Sequence, residues 1–145
     1  MRLCSSALAL TALALLTPPS DALTINVPED QPTIQTAIAA ADSGDTVLVS
    51  DGTYYEHDIL MASGVTVESA SGDPQYVVVD AGDLGRCFIL DGVEGGEIDA
   101  LTLTGGAAAG GGMDGKGGAI LCVSSSTRLE DITFAGNHAA VEGGG

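Results

Sequence analysis

The chain of 145 residues has no tryptophan, three tyrosines and two phenylalanines. So thin an aromatic supply argues against a globule packed around large rings. Basic residues are equally scarce: four Lys and Arg face 20 Asp and Glu, for a formal net charge of −16. Nucleic acid and anionic lipid both require clustered cations, so both are excluded as partners. Beyond the first 22 residues no stretch is long and apolar enough to cross a bilayer. What is plentiful is glycine, 21 residues, with many Val, Ile, Leu and Ala. That mixture suits thin strands joined by tight turns.

The start of the chain has the form of a secretory leader. Met1-Arg2 supplies positive charge, Ala7 to Leu16 is apolar, and Ser20 and Ala22 are the small residues of a cleavage site. A mature start at Leu23 is expected, which places the protein outside the cell or at its surface. Leu23 to Val27 is a candidate first strand, ended by Pro28. A helix over about 31–42 should follow, capped by Asp30 or Gln31, with Pro32 in its first turn and Gly44 beyond its end. Ile34, Ala37, Ile38 and Ala41 share one face of it. Its expected role is to cover the open end of a solenoid, whose first coil has no neighbour.

From Thr46 onward short β-rich runs recur. One apolar anchor per run gives Val47, Ile59, Val65, Val77, Ile89, Leu101, Ile120 and Ile132. Within successive pairs the gap is 12 each time, while the gaps between pairs are 6, 12 and 19. A constant arc alternating with a variable one points to a solenoid with insertions on one edge. The fold predicted is all-β: a right-handed parallel β-helix of about four coils over 46–61, 65–80, 87–104 and 118–135. The last two coils align at an offset of 31, which sets Ile89 over Ile120, Ile98 over Leu129 and Leu103 over Phe134. Ala107 to Gly117 is the longest insertion and is expected to be a loop.

Thr33-Ile34-Gln35, Ala37-Ile38, Gly44-Asp45-Thr46-Val47 and Gly52-Thr53-Tyr54 resemble the opening of secreted proteins with the pectin-lyase-like β-helix fold. Gly117-Gly118-Ala119-Ile120 and Phe134-Ala135-Gly136-Asn137 resemble the two short repeats of polymorphic outer-membrane proteins, surface proteins implicated in adhesion. Leu103-Thr104-Gly105-Gly106 fills the earlier Phe-x-x-Asn slot in degenerate form. The resemblance implies a secreted or bacterial cell-surface protein, the outer membrane included, that binds glycans or cell-surface partners. The same fold also hosts polysaccharide-degrading enzymes of the pectate-lyase type. Fold does not settle function. The Asn-Thr-Asp and Gly-His-Gly motifs of polygalacturonase-like enzymes do not occur, and no Gln follows Asp131-Ile132-Thr133-Phe134 as it would in pectin esterases. Arg86 and Arg128 flank different strands, so no basic pair converges. No catalytic or cofactor-binding residue is nominated; a degradative site would have to lie on further coils.

Asp80, Asp83, Asp91 and Asp114 are the calcium candidates, because calcium takes six to eight oxygens and these lie around one arc of successive turns. Ordinary Asp in Gly-rich turns is the competing explanation. His57, between Glu56 and Asp58, makes a weak metal cluster, since strand neighbours point to opposite faces. His138 falls opposite Ala107 and reads as a solvated turn residue. After leader removal two cysteines remain, Cys87 and Cys122. The offset sets Cys122 over Asp91, about 13 Å along the strand from Cys87, so two free, largely buried thiols are expected. The run Val141 to Gly145 resembles the approach to Ala119-Ile120, so a fifth coil, and a longer protein of which this is the front part, are expected, with self-association when the piece is expressed alone.

Overall fold

The computed structural model describes residues 21–141; most of the expected leader lies outside them. In chain order the elements are β1 (Thr24–Val27), α1 (Ile34–Ala40), β2 (Thr46–Val49), β3 (Gly52–Tyr54), β4 (Ile59–Leu60), β5 (Thr66–Ser69), β6 (Val77–Asp80) and β7 (Phe88–Asp91). They continue with β8 (Glu97–Asp99), β9 (Thr102–Thr104), β10 (Ala107–Ala108), β11 (Ile120–Val123), β12 (Arg128–Glu130), β13 (Thr133–Ala135) and β14 (His138–Ala139). The fold is all-β with one short α-helix among the described residues, and its strand pairs are parallel. A first sheet runs β1-β2-β5-β8-β12, a second β3-β6-β9-β13, a third β4-β7-β11, and β10 pairs with β14. From β2 onward consecutive strands belong to different sheets, and each sheet grows by strands from distant parts of the chain.

Alternation decides what each sheet buries. On β2 and β5, Val47, Val49 and Val67 are fully buried while Thr46, Leu48, Thr66 and Glu68 face outward. Register then stacks like on like: Val47 opposite Val67, Val67 opposite Ile98, Ile98 opposite Leu129. The second sheet repeats this with Val79 opposite Leu103 and Leu103 opposite Phe134. Each buried aliphatic side chain contributes roughly 1.5–3 kcal/mol, so the columns hold the stack rather than any one residue.

Several features depart from the sequence expectation. The constant 12-residue gap does not mark a constant arc. Val47 belongs to the first sheet, Ile59 to the third and Val77 to the second, while Leu101 and Ile132 sit at the corners between β8 and β9 and between β12 and β13. Runs expected as single strands, 98–104 and 129–135, each break in two at those corners, where Ala100 (φ 55°) and Asp131 (φ 46°) are left-handed. No Gly or Asn announces a turn at either place. Gly52–Tyr54 is itself a strand, not merely a turn after β2.

The third sheet is shifted by one residue. Ile120 lies opposite Phe88 and Leu121 opposite Ile89, an offset of 32. A one-residue slip exchanges the faces of a strand: Phe88 and Leu90 are fully buried, and Ile89, expected inside, faces outward. The offset of 31 holds for β8 with β12, β9 with β13, and Ala107 with His138.

The helix starts later than expected. Thr33, not Asp30 or Gln31, is its N-cap, in a reciprocal hydrogen-bonded box with Thr36. Two more N–H groups of the first turn, those of Ile34 and Gln35, donate to the Glu56 carboxylate at 2.8 and 3.0 Å. Ile34, Ala37 and Ile38 are buried in the core, with Ala41 packed against it. Gln35 reaches the other way: Leu60 N–H donates to its Oε1 at 2.8 Å, and its Nε2 donates to Leu60 C=O at 3.4 Å. The helix thus covers β4 with a side-chain amide. Asp45 joins helix exit to first sheet by accepting from Leu23 N–H and Asp42 N–H, both at 2.8 Å. Those bonds, Leu23 foremost, hold its carboxyl below the usual carboxylate range.

Both cysteines in the described residues are free, but only Cys87 is buried; Cys122 is exposed. Cys122 stands opposite Leu90 rather than Asp91, on the inward side of β11, and no described strand stacks upon it. Burial pushes the Cys87 thiol from its ordinary 9.0 up to about 12. Partial burial raises the Cys122 thiol too, so a thiol-specific alkylating reagent at neutral pH should label Cys122 in the native protein more slowly than a free cysteine, and Cys87 only after unfolding. Below the ordinary thiol value both states keep the Cys87 proton and stability is unaffected. Between there and about 12 the unfolded chain ionises first, so stability should fall as pH rises through that window. Equal labelling of both cysteines in native protein would refute the placement.

Candidate functional site

Two surfaces carry enough exposed chemistry to act. The first is a cleft of ≈ 350 Å³ where the turn before β7 meets the Gly-rich insertion before β11; Asp58, Asp83, Arg86 and Asp114 line it. Two of the four calcium candidates, Asp83 and Asp114, are therefore brought together, and Asp58 joins them. Asp80 and Asp91 are not part of the lining. Asp80 instead folds its Oδ1 onto Gly82 N–H at 2.9 Å, an ordinary Asx-type turn, and Asp91 ends β7 in solvent. Among the described residues no group of three or more His, Cys, Asp or Glu is placed to hold a metal ion.

Internal bonds occupy much of the cleft's chemistry. Asp58 Oδ1 accepts from Arg86 N–H at 3.0 Å, and its Oδ2 lies 3.2 Å from His57 Nδ1. Gly85 allows this approach, since a Cβ there would stand 2.2 Å from Asp58 Oδ2. The Arg86 guanidinium donates to the carbonyls of Lys116 (3.0 Å), Met113 (3.2 Å) and Asp114 (2.7 Å). It clips the insertion to the sheet edge. The insertion is accordingly not a bare loop: β10 and a 3-10 turn over Gly112–Gly115 lie within it. On the first sheet Arg128 is paired with Glu97 at 3.3 Å and with Glu130.

The second surface is the outer face of the second sheet. Alternation points Thr53, Val78, Thr102 and Thr133 outward, and register sets them in one column. At the ~4.8 Å strand spacing this is a strip of β-branched side chains, mostly hydroxylated; the Thr102 hydroxyl is already donated to Pro74 C=O at 2.7 Å, so those of Thr53 and Thr133 are the exposed ones. Two exposed rings bracket it: Tyr76, just before β6, is 52% exposed, and Tyr55, just after β3, is 79% exposed. Tyr54 between them is half-buried, its hydroxyl donating to Ser50 C=O at 2.8 Å. Composition named the tyrosines as scarce but gave no sign that two of the three flank strands that pair with each other, β3 and β6.

Asn137, from the Phe-x-x-Asn repeat, is structural. It is buried, its Oδ1 accepting from Gly106 N–H at 2.8 Å and its Nδ2 donating to Leu103 C=O at 2.9 Å. His138 is exposed on β14, opposite Ala107. No protein-family model, curated protein or solved structure matches this chain.

Proposed function

We propose that the chain is a non-catalytic binding module of a secreted or cell-surface protein, a right-handed parallel β-helix of the pectin-lyase-like type that holds a glycan on the flat face of its second sheet. The three parallel sheets are then the three sides of the coil, with α1 covering its first turn. The observation that carries the binding role is the strip Thr53-Val78-Thr102-Thr133 between the exposed rings of Tyr55 and Tyr76. Sugars present an apolar ring face and a rim of hydroxyls, which suits exposed aromatics beside side-chain hydroxyls. Arg86, the basic residue of the carboxylate cleft, spends its guanidinium on three backbone carbonyls, which favours binding over lyase chemistry.

Affinity electrophoresis through gels containing different polysaccharides tests this. At least one should retard the protein. The double variant Tyr55→Ala/Tyr76→Ala should lose more than about tenfold in affinity, about 1.4 kcal/mol, with an unchanged circular dichroism spectrum because both rings are exposed. Retardation that survives both substitutions would move the site elsewhere.

A further inference from the structure

We infer that two copies of this 145-residue chain pair head to head through the apolar end formed by β11, β12 and β13; the inference does not depend on the glycan-binding reading. Each of these strands is the last of its sheet among the described residues, bonded on one side only. Their inward positions continue columns that are fully buried one strand below. Cys122 stands on Leu90, Leu129 on Ile98 and Phe134 on Leu103. Leu90, Ile98 and Leu103 belong to one core and are 0% exposed, whereas Leu129 is 41% and Phe134 43% exposed, and Cys122 is exposed as well. Ile120 and Ile132 complete the face, packed against that core but only partly buried. A contiguous apolar surface beside unpaired strand edges favours association.

The opposite end of the sheets offers no such surface, and this selects the occupant. There Ile34, Ala37 and Ile38 of α1 are buried in the core. On β1, Asn26 N–H donates to Asp30 Oδ2 at 2.8 Å, and Asn26 C=O accepts from Asp30 N–H at 2.8 Å and Gln31 N–H at 3.2 Å. Gln35 occupies Leu60 of β4 in the same way. A head-to-tail stack would press open strands and apolar side chains against groups that already have partners. Head-to-head pairing sets apolar side chains against their own kind, as in the columns inside each chain, and lets open strand edges meet antiparallel. A two-fold contact uses the same face on both copies and therefore closes at two. Each copy carries a net charge of −16, so repulsion opposes the contact and added salt should strengthen it.

Analytical ultracentrifugation of the full chain from about 1 to 100 μM tests this. It should show monomer and dimer and nothing larger, with the dimer favoured by added sodium chloride. Phe134→Glu would bury a carboxylate in the contact and should weaken pairing at least about tenfold. Leu129→Glu, on a different sheet, should do the same, and it carries the test if Phe134→Glu fails to fold by circular dichroism. Leu84→Glu adds the same charge at a residue that is 75% exposed and away from this end, and should leave pairing unchanged. Alkylation of wild-type Cys122 should slow as protein concentration rises through the dimer range, because the contact covers it. Monomer at every concentration, a ladder of larger species, or a Cys122 rate independent of concentration overturns the inference. So does undiminished pairing in the folded end variants, or an equal loss in Leu84→Glu.

Discussion

Phe88→Ala is expected to destabilise the protein by about 3–5 kcal/mol, while Ile89→Ala, one residue on, should cost less than about 1 kcal/mol. Phe88 is fully buried, stacked between Ile59 and Ile120 in the third sheet. Removing its ring leaves a void in a column where strands above and below are tied by backbone hydrogen bonds, so collapse around the gap is restricted. Ile89 faces outward between Leu60 and Leu121, and its truncation leaves no cavity. Urea denaturation of both variants, comparing midpoints at matched slopes, measures the difference. A loss at Ile89 equal to that at Phe88 would restore the register that sets Ile89 over Ile120.

Gly106→Ala should be nearly as damaging, at about 3 kcal/mol. A Cβ at Gly106 would stand 2.3 Å from Gly118 O, 2.8 Å from Asn137 Oδ1 and 2.9 Å from Ala119 Cα. Two of those neighbours are backbone and cannot swing aside. Asn137→Ala removes two hydrogen bonds and leaves Gly106 N–H without its buried acceptor, for a loss of about 1–3 kcal/mol. Because one substitution vacates space that the other needs, the double variant should lose less than the sum of the singles. Thermal unfolding of the three variants decides it. Strict additivity would mean that Gly106 and Asn137 do not share a site.

The helix face was legible in the sequence: Ile34, Ala37 and Ile38 are buried and Ala41 packs against them, as their spacing predicts. Its cap was not, since Thr33 stands where Asp30 or Gln31 was expected. Nor were the bonds of Gln35 to Leu60 and of Asp45 to Leu23, which join residues 25 and 22 positions apart. The β character was legible in the alternation at Val65 and Val67, and the parallel pairing in the recurrence of the short runs. Less so was the phase of the strands. The corners at Ala100 and Asp131 are left-handed without glycine or asparagine, so 98–104 and 129–135 read as unbroken runs. The slip in the third sheet was hidden because Phe88, Ile89 and Leu90 are all apolar, and only burial distinguishes the faces. The strip beside the tyrosines was illegible for a further reason: Tyr55 and Tyr76 are 21 residues apart, and the strands they flank come together only through the pairing of β3 with β6.

The amide of Gln35 is chemically a peptide group on a flexible arm. By giving Leu60 both an acceptor and a donor, it impersonates one residue of a strand that does not exist. A passing extended chain that tried to pair with β4 there would have to evict a partner tethered to the same molecule and therefore always nearby. Gln35→Leu keeps the bulk and abolishes the disguise. At that edge a single side chain supplies what other folds achieve with a charged or prolyl edge strand: selectivity about what is allowed to continue the sheet.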